Sequence, residues 1–393
     1  MESTQKIKPN AIYNQFLDFW IIGGTSILMF VVFLLASVFR ESSIVIQQKF
    51  LMFGSFFALM SILCNHPHFM ITFKFGYTRG WRFLLKHWFA LLFVPLSMVG
   101  VFAIAYFSYD YAINENVVVI TLNNFFATTG ISFRIGQVRT LGLELISLGV
   151  WTMYATVGWH YSKQVYGCMM VYNDLKQYGL EKWQKLAIRY NLISLAFYQF
   201  FTMSEKVDSA NSALFQDSRF SNVGITSIGF SSVIMSLSRW ALIISFFIVI
   251  YVFIERYRIA KKSPPITFLI PWIAIYIWWI QVGDMPEFYY GAVPFFHSLQ
   301  YLLFASKMEI KSLENAKKFN LKISIRIILL LIIGLLFFEF IPAGLDEKLQ
   351  TNLHQTSWFF MTAFALFINI HHFFIDSTVW KLSDRRVKPL LNQ

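Results

Sequence analysis

Eight histidines occur in this 393-residue chain, and six of them sit inside apolar stretches: His66, His68, His160, His297 and the adjacent pair His371 and His372. An ionisable side chain at membrane depth is expensive and normally faces the interior of a helical bundle. Most have polar company one helical turn away, the spacing that puts two side chains on one helix face. His160 has Lys163 and Gln164, His297 has Gln300 and Tyr301, and His372 has Asp376. In the first cluster Asn65 precedes His66, and Pro67 separates His66 from His68. Proline removes a helical hydrogen bond, so Asn65, His66 and His68 need not project as a regular helix would require.

Imidazoles arriving from different helices are the usual means of holding iron, copper, zinc or a haem. All six histidines are expected as ligands. A ligating imidazole commonly gives its second nitrogen to a carboxylate or carbonyl, which is the role expected of Asp376 toward His372, unless Asp376 itself ligates. Gln164, Gln300, Tyr301 and Asn65 are the other polar groups expected to orient ligands or join the chemistry. Lys163 is expected to meet an anionic substrate head group or to snorkel to the interface. Iron is the first choice, because an apolar bundle open to lipid suits oxidation of a hydrophobic substrate; haem, copper and zinc stay as alternatives. Cys64 and Cys168 match no zinc-ribbon spacing and imply no disulfide framework. A lone membrane histidine commonly serves as packing glue; six at similar depth point to a lined site.

The elements that must position these residues follow from composition. Hydrophobic residues make up 56% of the chain and charged residues only 14%, with a mean hydropathy of +0.54; a soluble domain carries about 25% charged residues. The apolar residues come in blocks of about 17 to 25, the length that crosses a hydrocarbon core. The expected fold is therefore an all-α, polytopic integral membrane bundle forming one domain over residues 1–393. About ten spans are expected: Phe16–Phe39, Phe50–Phe73, His87–Tyr109, Leu141–Tyr172, Ile188–Met203, Val233–Ile254, Ile266–Val282, Phe288–Ser306, Ile323–Ile341 and Trp358–Val379. Residues 116–139 are too short and polar to cross and are expected to be re-entrant or interfacial.

The net charge of +12 lies in short clusters between apolar blocks, which makes it a topology signal and excludes a nucleic-acid face. Under ten spans every strongly basic loop falls on one side. Both termini and the tail 380–393 are then cytoplasmic, the polar loop 204–232 is extracytoplasmic, and a bacterial inner membrane is the expected setting. Counting along the helices places the histidines about 9 to 21 Å from the cytoplasmic boundary.

The pattern departs from the three histidine boxes of membrane fatty-acid desaturases and hydroxylases, to which only His371-His372 is similar. In general style the chain resembles the Brp/Blh-type β-carotene cleaving dioxygenases, which are polytopic and use histidines on several helices around iron. That likeness is one of style, without shared motifs, and assigns no family. The leading functional expectation is a metal-dependent membrane oxidoreductase or hydroxylase acting on a lipid or isoprenoid-like small molecule, with membrane lipids as surroundings. Two other classes compete with it: a transporter or channel relaying protons through the histidines, and a scaffold or assembly factor without catalysis. No nucleotide-binding loop is present, and oligomeric state is not encoded in a readable way.

Overall fold

The computed structural model describes residues 10–39, 43–109, 111–113, 115–134, 140–207, 227–281, 285, 287–313, 319–349 and 359–380. The tail 381–393, most of the polar loop (208–226) and residues 135–139 lie outside the described residues. Among the described residues, fourteen α-helices follow in chain order. The first seven are α1 (Gln15–Phe19), α2 (Thr25–Ser37), α3 (Ile44–Tyr77), α4 (Trp81–Lys86), α5 (Val94–Phe107), α6 (Glu115–Phe126) and α7 (Leu141–Leu175). The rest are α8 (Lys182–Val207), α9 (Ser232–Ala260), α10 (Ile266–Trp279), α11 (Val293–Leu313), α12 (Phe319–Leu335), α13 (Ile341–Leu349) and α14 (Phe359–Val379). Wide π-helical turns at Trp20–Gly24, Phe89–Phe93, Glu287–Ala292 and Leu336–Phe340 join or extend neighbouring helices.

Among the described residues, seven helices are long and apolar enough to cross a membrane: Gln15–Ser37, Ile44–Tyr77, Phe89–Phe107, Leu141–Leu175, Ser232–Ala260, Ile325–Leu349 and Phe359–Val379. The other three expected spans are also largely helical, within α8, α10 and α11, but differ in kind. The 14 residues of α10 rise only about 21 Å, short of a core about 30 Å thick. Polar and charged residues dilute α8 (Arg189, Asn191, Gln199) and α11 (His297, Gln300, Lys307). The outer surfaces are strongly apolar, with Phe107 85%, Val38 74%, Leu96 70% and Phe247 64% exposed. Polar groups such as Asp18, Gln300 and Asn191 are meanwhile buried. This inverted distribution is that of a membrane helical bundle.

Helix α14 is the axis of the site. Two thirds (67%) of its span is buried, against 22–33% for the six others, because α3, α5 and α7 pack around it. Its start is fixed by Asp346 of α13, whose carboxylate accepts hydrogen bonds from the backbone N–H groups of Phe360 (2.8 Å) and Met361 (2.9 Å). A carboxylate on these first, otherwise unpaired, N–H groups is a strong helix cap. Asn14, Thr140 and Ser231 cap α1, α7 and α9 in the same way.

Two segments take a form that the residue types left open. Helix α3 runs unbroken through Pro67, so His66 and His68 do project as on a regular helix. Residues 116–139 begin as α6, whose 12 residues are too short to cross, and continue as a strand, β1 (Ile131–Arg134). This strand pairs antiparallel with β2 (Ser227–Phe230), Ile131 opposite Phe230 and Arg134 opposite Ser227. Asn123 of α6 clamps the strand by bonding both the N–H (2.8 Å) and the carbonyl (3.2 Å) of Phe133. The small sheet ties this segment to the end of the polar loop.

Candidate metal centre

Four of the six expected histidines meet. His68 of α3, His160 of α7, His297 of α11 and His372 of α14 are all buried and present ring nitrogens within 4.8 Å of one another. Nitrogens sharing a metal at about 2.0–2.2 Å stand about 3.3 Å apart in a tetrahedron and up to about 4.4 Å apart when opposed. A pair at the 4.8 Å limit would close by about 0.4 Å to stand on opposite sides of one ion and by about 1.5 Å to share a tetrahedral one.

Hydrogen bonds define which nitrogens face inward. The Nδ1–H of His372 donates to the Asn369 carbonyl at 3.1 Å, since a carbonyl only accepts; its Nε2 is therefore a bare lone pair. The hydroxyl of Ser298 donates to Asn65 Oδ1, which leaves Ser298 Oγ to accept from His68 Nδ1–H at 2.9 Å. His68 is thereby set in the same tautomer. Both Nε2 atoms are buried without a hydrogen-bond partner, a costly arrangement unless a Lewis acid takes them. His160 and His297 place their Nε2 atoms 3.0 Å apart, where one proton or one shared cation serves both.

Asp376 stands beside the four imidazoles, facing three of them, a position that either of the roles expected of it would need. Its Oδ1 accepts from Thr72 Oγ1 at 3.0 Å and lies 3.3 Å from the Tyr301 hydroxyl. Its Oδ2 then faces His372 Nε2 (3.7 Å), His160 Nδ1 (3.8 Å) and His68 Nε2 (4.0 Å). Because the backbone of Asn369 already holds the far nitrogen of His372, Asp376 stands on the ligand side of the ring. The Asn369 carbonyl, not Asp376, holds the His372 tautomer, and the Asp376 oxygens lie outside the set of ligand atoms that stand within 4.8 Å of one another.

The surrounding polar residues hold this core in place. Gln164 donates to the His297 carbonyl (3.0 Å) and to Gln300 Oε1 (2.9 Å), and Gln300 donates to the Ile22 carbonyl in the first wide turn (2.6 Å). Tyr161 stacks on His297 with centroids 3.6 Å apart and planes 9° from parallel. Thr72 hydrogen-bonds the Tyr301 hydroxyl at 2.6 Å. Lys163 donates to the Ser377 carbonyl (3.1 Å) and lies over the Trp159 ring.

His66 and His371 are placed elsewhere. Successive helical residues turn about 100°, so His66 is about 200° from His68 and cannot point with it. Its Nδ1 bonds the Ile62 carbonyl (2.9 Å) and its Nε2 lies 3.7 Å from Glu339, beneath α12, where Gly334 gives the close approach. His371 turns toward α3, its Nε2 3.0 Å from the Tyr77 hydroxyl. The sequence reading missed Thr72 and Ser298. Thr72 lies four residues after His68, on the same helix face, so the turn-spacing rule applied to that histidine would have found it; Ser298 needs the tertiary structure.

Replacing Ser298 by Ala removes the acceptor that orders the His68 tautomer. Metal affinity is expected to fall about 10–100-fold, as for other outer partners of ligating histidines, with helical content unchanged; competition against a chromophoric chelator measures it, and affinity equal to wild type would refute the tautomer argument.

A pocket opens beside the centre. His160, Asp376 and Tyr301 stand at the site end, and Gly167, Cys168, Val171, Phe304 and Trp380 give it an apolar lining. A side chain at Gly167 would meet nothing within 4 Å, so this face of α7 is open to an occupant. Comparison with family models, curated proteins and solved structures yields no match.

Proposed function

We propose that the chain holds one transition metal, iron in first place, on His68, His160, His297, His372 and Asp376, and acts as a membrane oxidoreductase or hydroxylase on a lipid or isoprenoid-like substrate. The observation that carries the reading is the convergence of two unpartnered, tautomer-set Nε2 atoms and a carboxylate oxygen inside an apolar bundle. Nitrogen and oxygen donors without thiolate suit iron, copper or zinc; of these, iron and copper would supply oxidation chemistry with dioxygen when bound, and zinc would not.

The chain's own residues would do the rest. The apolar pocket takes a hydrocarbon chain along α7 and excludes water from the centre. Tyr301, hydrogen-bonded to Thr72 and close to Asp376, holds a proton at the pocket wall. Lys163, one turn beyond His160 on the same pocket, would meet a polar or anionic head group. The basic-loop pattern supports a bacterial inner membrane setting with cytoplasmic termini.

Detergent-purified protein reconstituted with ferrous iron and incubated with dioxygen, ascorbate as the two-electron donor that hydroxylation requires, and a panel of isoprenoid and fatty-acyl lipids is expected to give oxygenated or cleaved products by mass spectrometry. No product across the panel from protein that retains iron would sink the oxidoreductase reading while leaving the metal site standing.

A further inference from the structure

A second cavity lies on the other side of the α3–α11 pair from the metal centre and has no part in the proposed chemistry. It runs between the N-terminal helix, α3, α11 and α12. Leu17 and Ile21 line it from the first helix and its wide turn, Leu63 and Pro67 from α3, and Leu299 and Leu303 from α11. These pairs are four residues apart, so each helix turns one apolar face to a groove that the bundle leaves unfilled.

The N-terminal segment, α11 and α12 also put their polar lining residues at the same end. Tyr13 lies before Leu17, Ser306 and Glu309 lie beyond Leu303, and Arg326 precedes Leu330 on α12. At this end Glu309 accepts from Lys74 Nζ (2.6 and 2.7 Å) and from Arg326 Nη1 (3.0 Å). The Tyr13 hydroxyl is 2.9 Å from Ser306 Oγ, and Lys307 lies over the Tyr13 ring. Among the described residues here, three cations (Lys74, Lys307, Arg326) meet two carboxylates, Glu309 and the buried Asp18, which accepts from the Tyr13 backbone N–H at 3.1 Å. The Arg326 side chain is 42% exposed, and a guanidinium carries five N–H donors, so one bond to Glu309 leaves it able to take an anion.

An apolar trough closed at one end by surplus positive charge and hydroxyls has the polarity of a membrane lipid. We infer that this groove is a binding site for a phospholipid with an anionic head group, its acyl chain along α3 and α11 and its phosphate on Arg326, Lys307 and the Tyr13–Ser306 hydroxyls. Planar guanidinium donors match phosphate oxygens. The position near the ends of α3 and α12 puts the head at the membrane interface, where such charges are stable.

Native mass spectrometry of the full chain in a neutral maltoside detergent, titrated with dioleoyl phosphatidylglycerol or dioleoyl phosphatidylcholine, tests the assignment. Wild type is expected to retain phosphatidylglycerol at least about 10-fold more strongly than phosphatidylcholine, by charge-assisted phosphate contacts. The double variant Arg326→Gln, Lys307→Gln is expected to lose that preference to within about twofold, and Leu330→Trp, which fills the trough, is expected to weaken both lipids. Equal retention of the two lipids by wild type, or a preference undiminished in the double variant, overturns the site. Metal content, measured on the same samples, is expected to stay at the wild-type level, since none of these residues touches the histidine centre.

Discussion

The His372→Ala variant is expected to bind metal at least about 100-fold more weakly than wild type, since losing even an outer partner of a ligand costs 10–100-fold and His372 is placed as a ligand itself. Its Nε2 is buried, bare and 3.7 Å from Asp376 Oδ2. The neighbouring change, His371→Ala, is the matched control. That ring turns about 100° away, toward Tyr77 and Phe73, so affinity is expected to stay within about threefold, the size of effect left to packing alone. Stability should follow the same split by linkage: a metal at 100 times its Kd adds about 2.7 kcal/mol to the folded state. Wild type and His371→Ala should therefore lose thermal stability on chelation, while His372→Ala shows no response. Equal metal retention by both variants would remove His372 from the centre.

Asp376→Asn is expected to separate stability from metal binding. Asparagine preserves an oxygen for Thr72 and Tyr301, but puts an NH₂ where Oδ2 now faces His68, His160 and His372. That group donates to the bare imidazole lone pairs and removes a buried negative charge. The chelated protein should become more stable by about 1–3 kcal/mol, the usual penalty of an unsatisfied buried polar group, whereas metal affinity should drop at least about 100-fold, beyond the range for an outer partner. Unfolding of chelated protein in graded denaturing detergent, paired with metal titration, reads both. A variant that is destabilised yet keeps its metal would show that Asp376 serves only packing. Polar centres kept for function at the expense of stability are a common trade.

The membrane architecture was legible because it rests on composition and block length, which need no tertiary information. The helices bearing the site were legible for the same reason: a histidine inside an apolar block has to face something polar. Helical phase was not. Within His66–Pro67–His68 and His371–His372 the sequence offers adjacent imidazoles without saying which one faces inward, and only the packing of α14 against α3 and α7 selects His68 and His372. Pro67 left the projection of its neighbours open in the sequence, and α3 continues through it as helix. Asp376 was recognised by its spacing from His372, yet its side of the ring depended on the Asn369 carbonyl, a local contact invisible in residue types. The four-residue strands around Ile131 and Ser227 are too short for alternation to stand out, and their pairing joins segments nearly a hundred residues apart in the chain.

X-ray absorption at the metal edge of the wild-type protein, compared with His68→Ala, His160→Ala, His297→Ala and His372→Ala, tests the metal centre most directly. The expected result for wild type is about one equivalent of metal with four to five nitrogen or oxygen neighbours at about 2.0–2.2 Å, imidazole outer-shell scattering and no sulfur, with the signal lost or remodelled in each variant. Less than about a tenth of an equivalent of any transition metal after reconstitution, or a spectrum unchanged in all four variants, would contradict it.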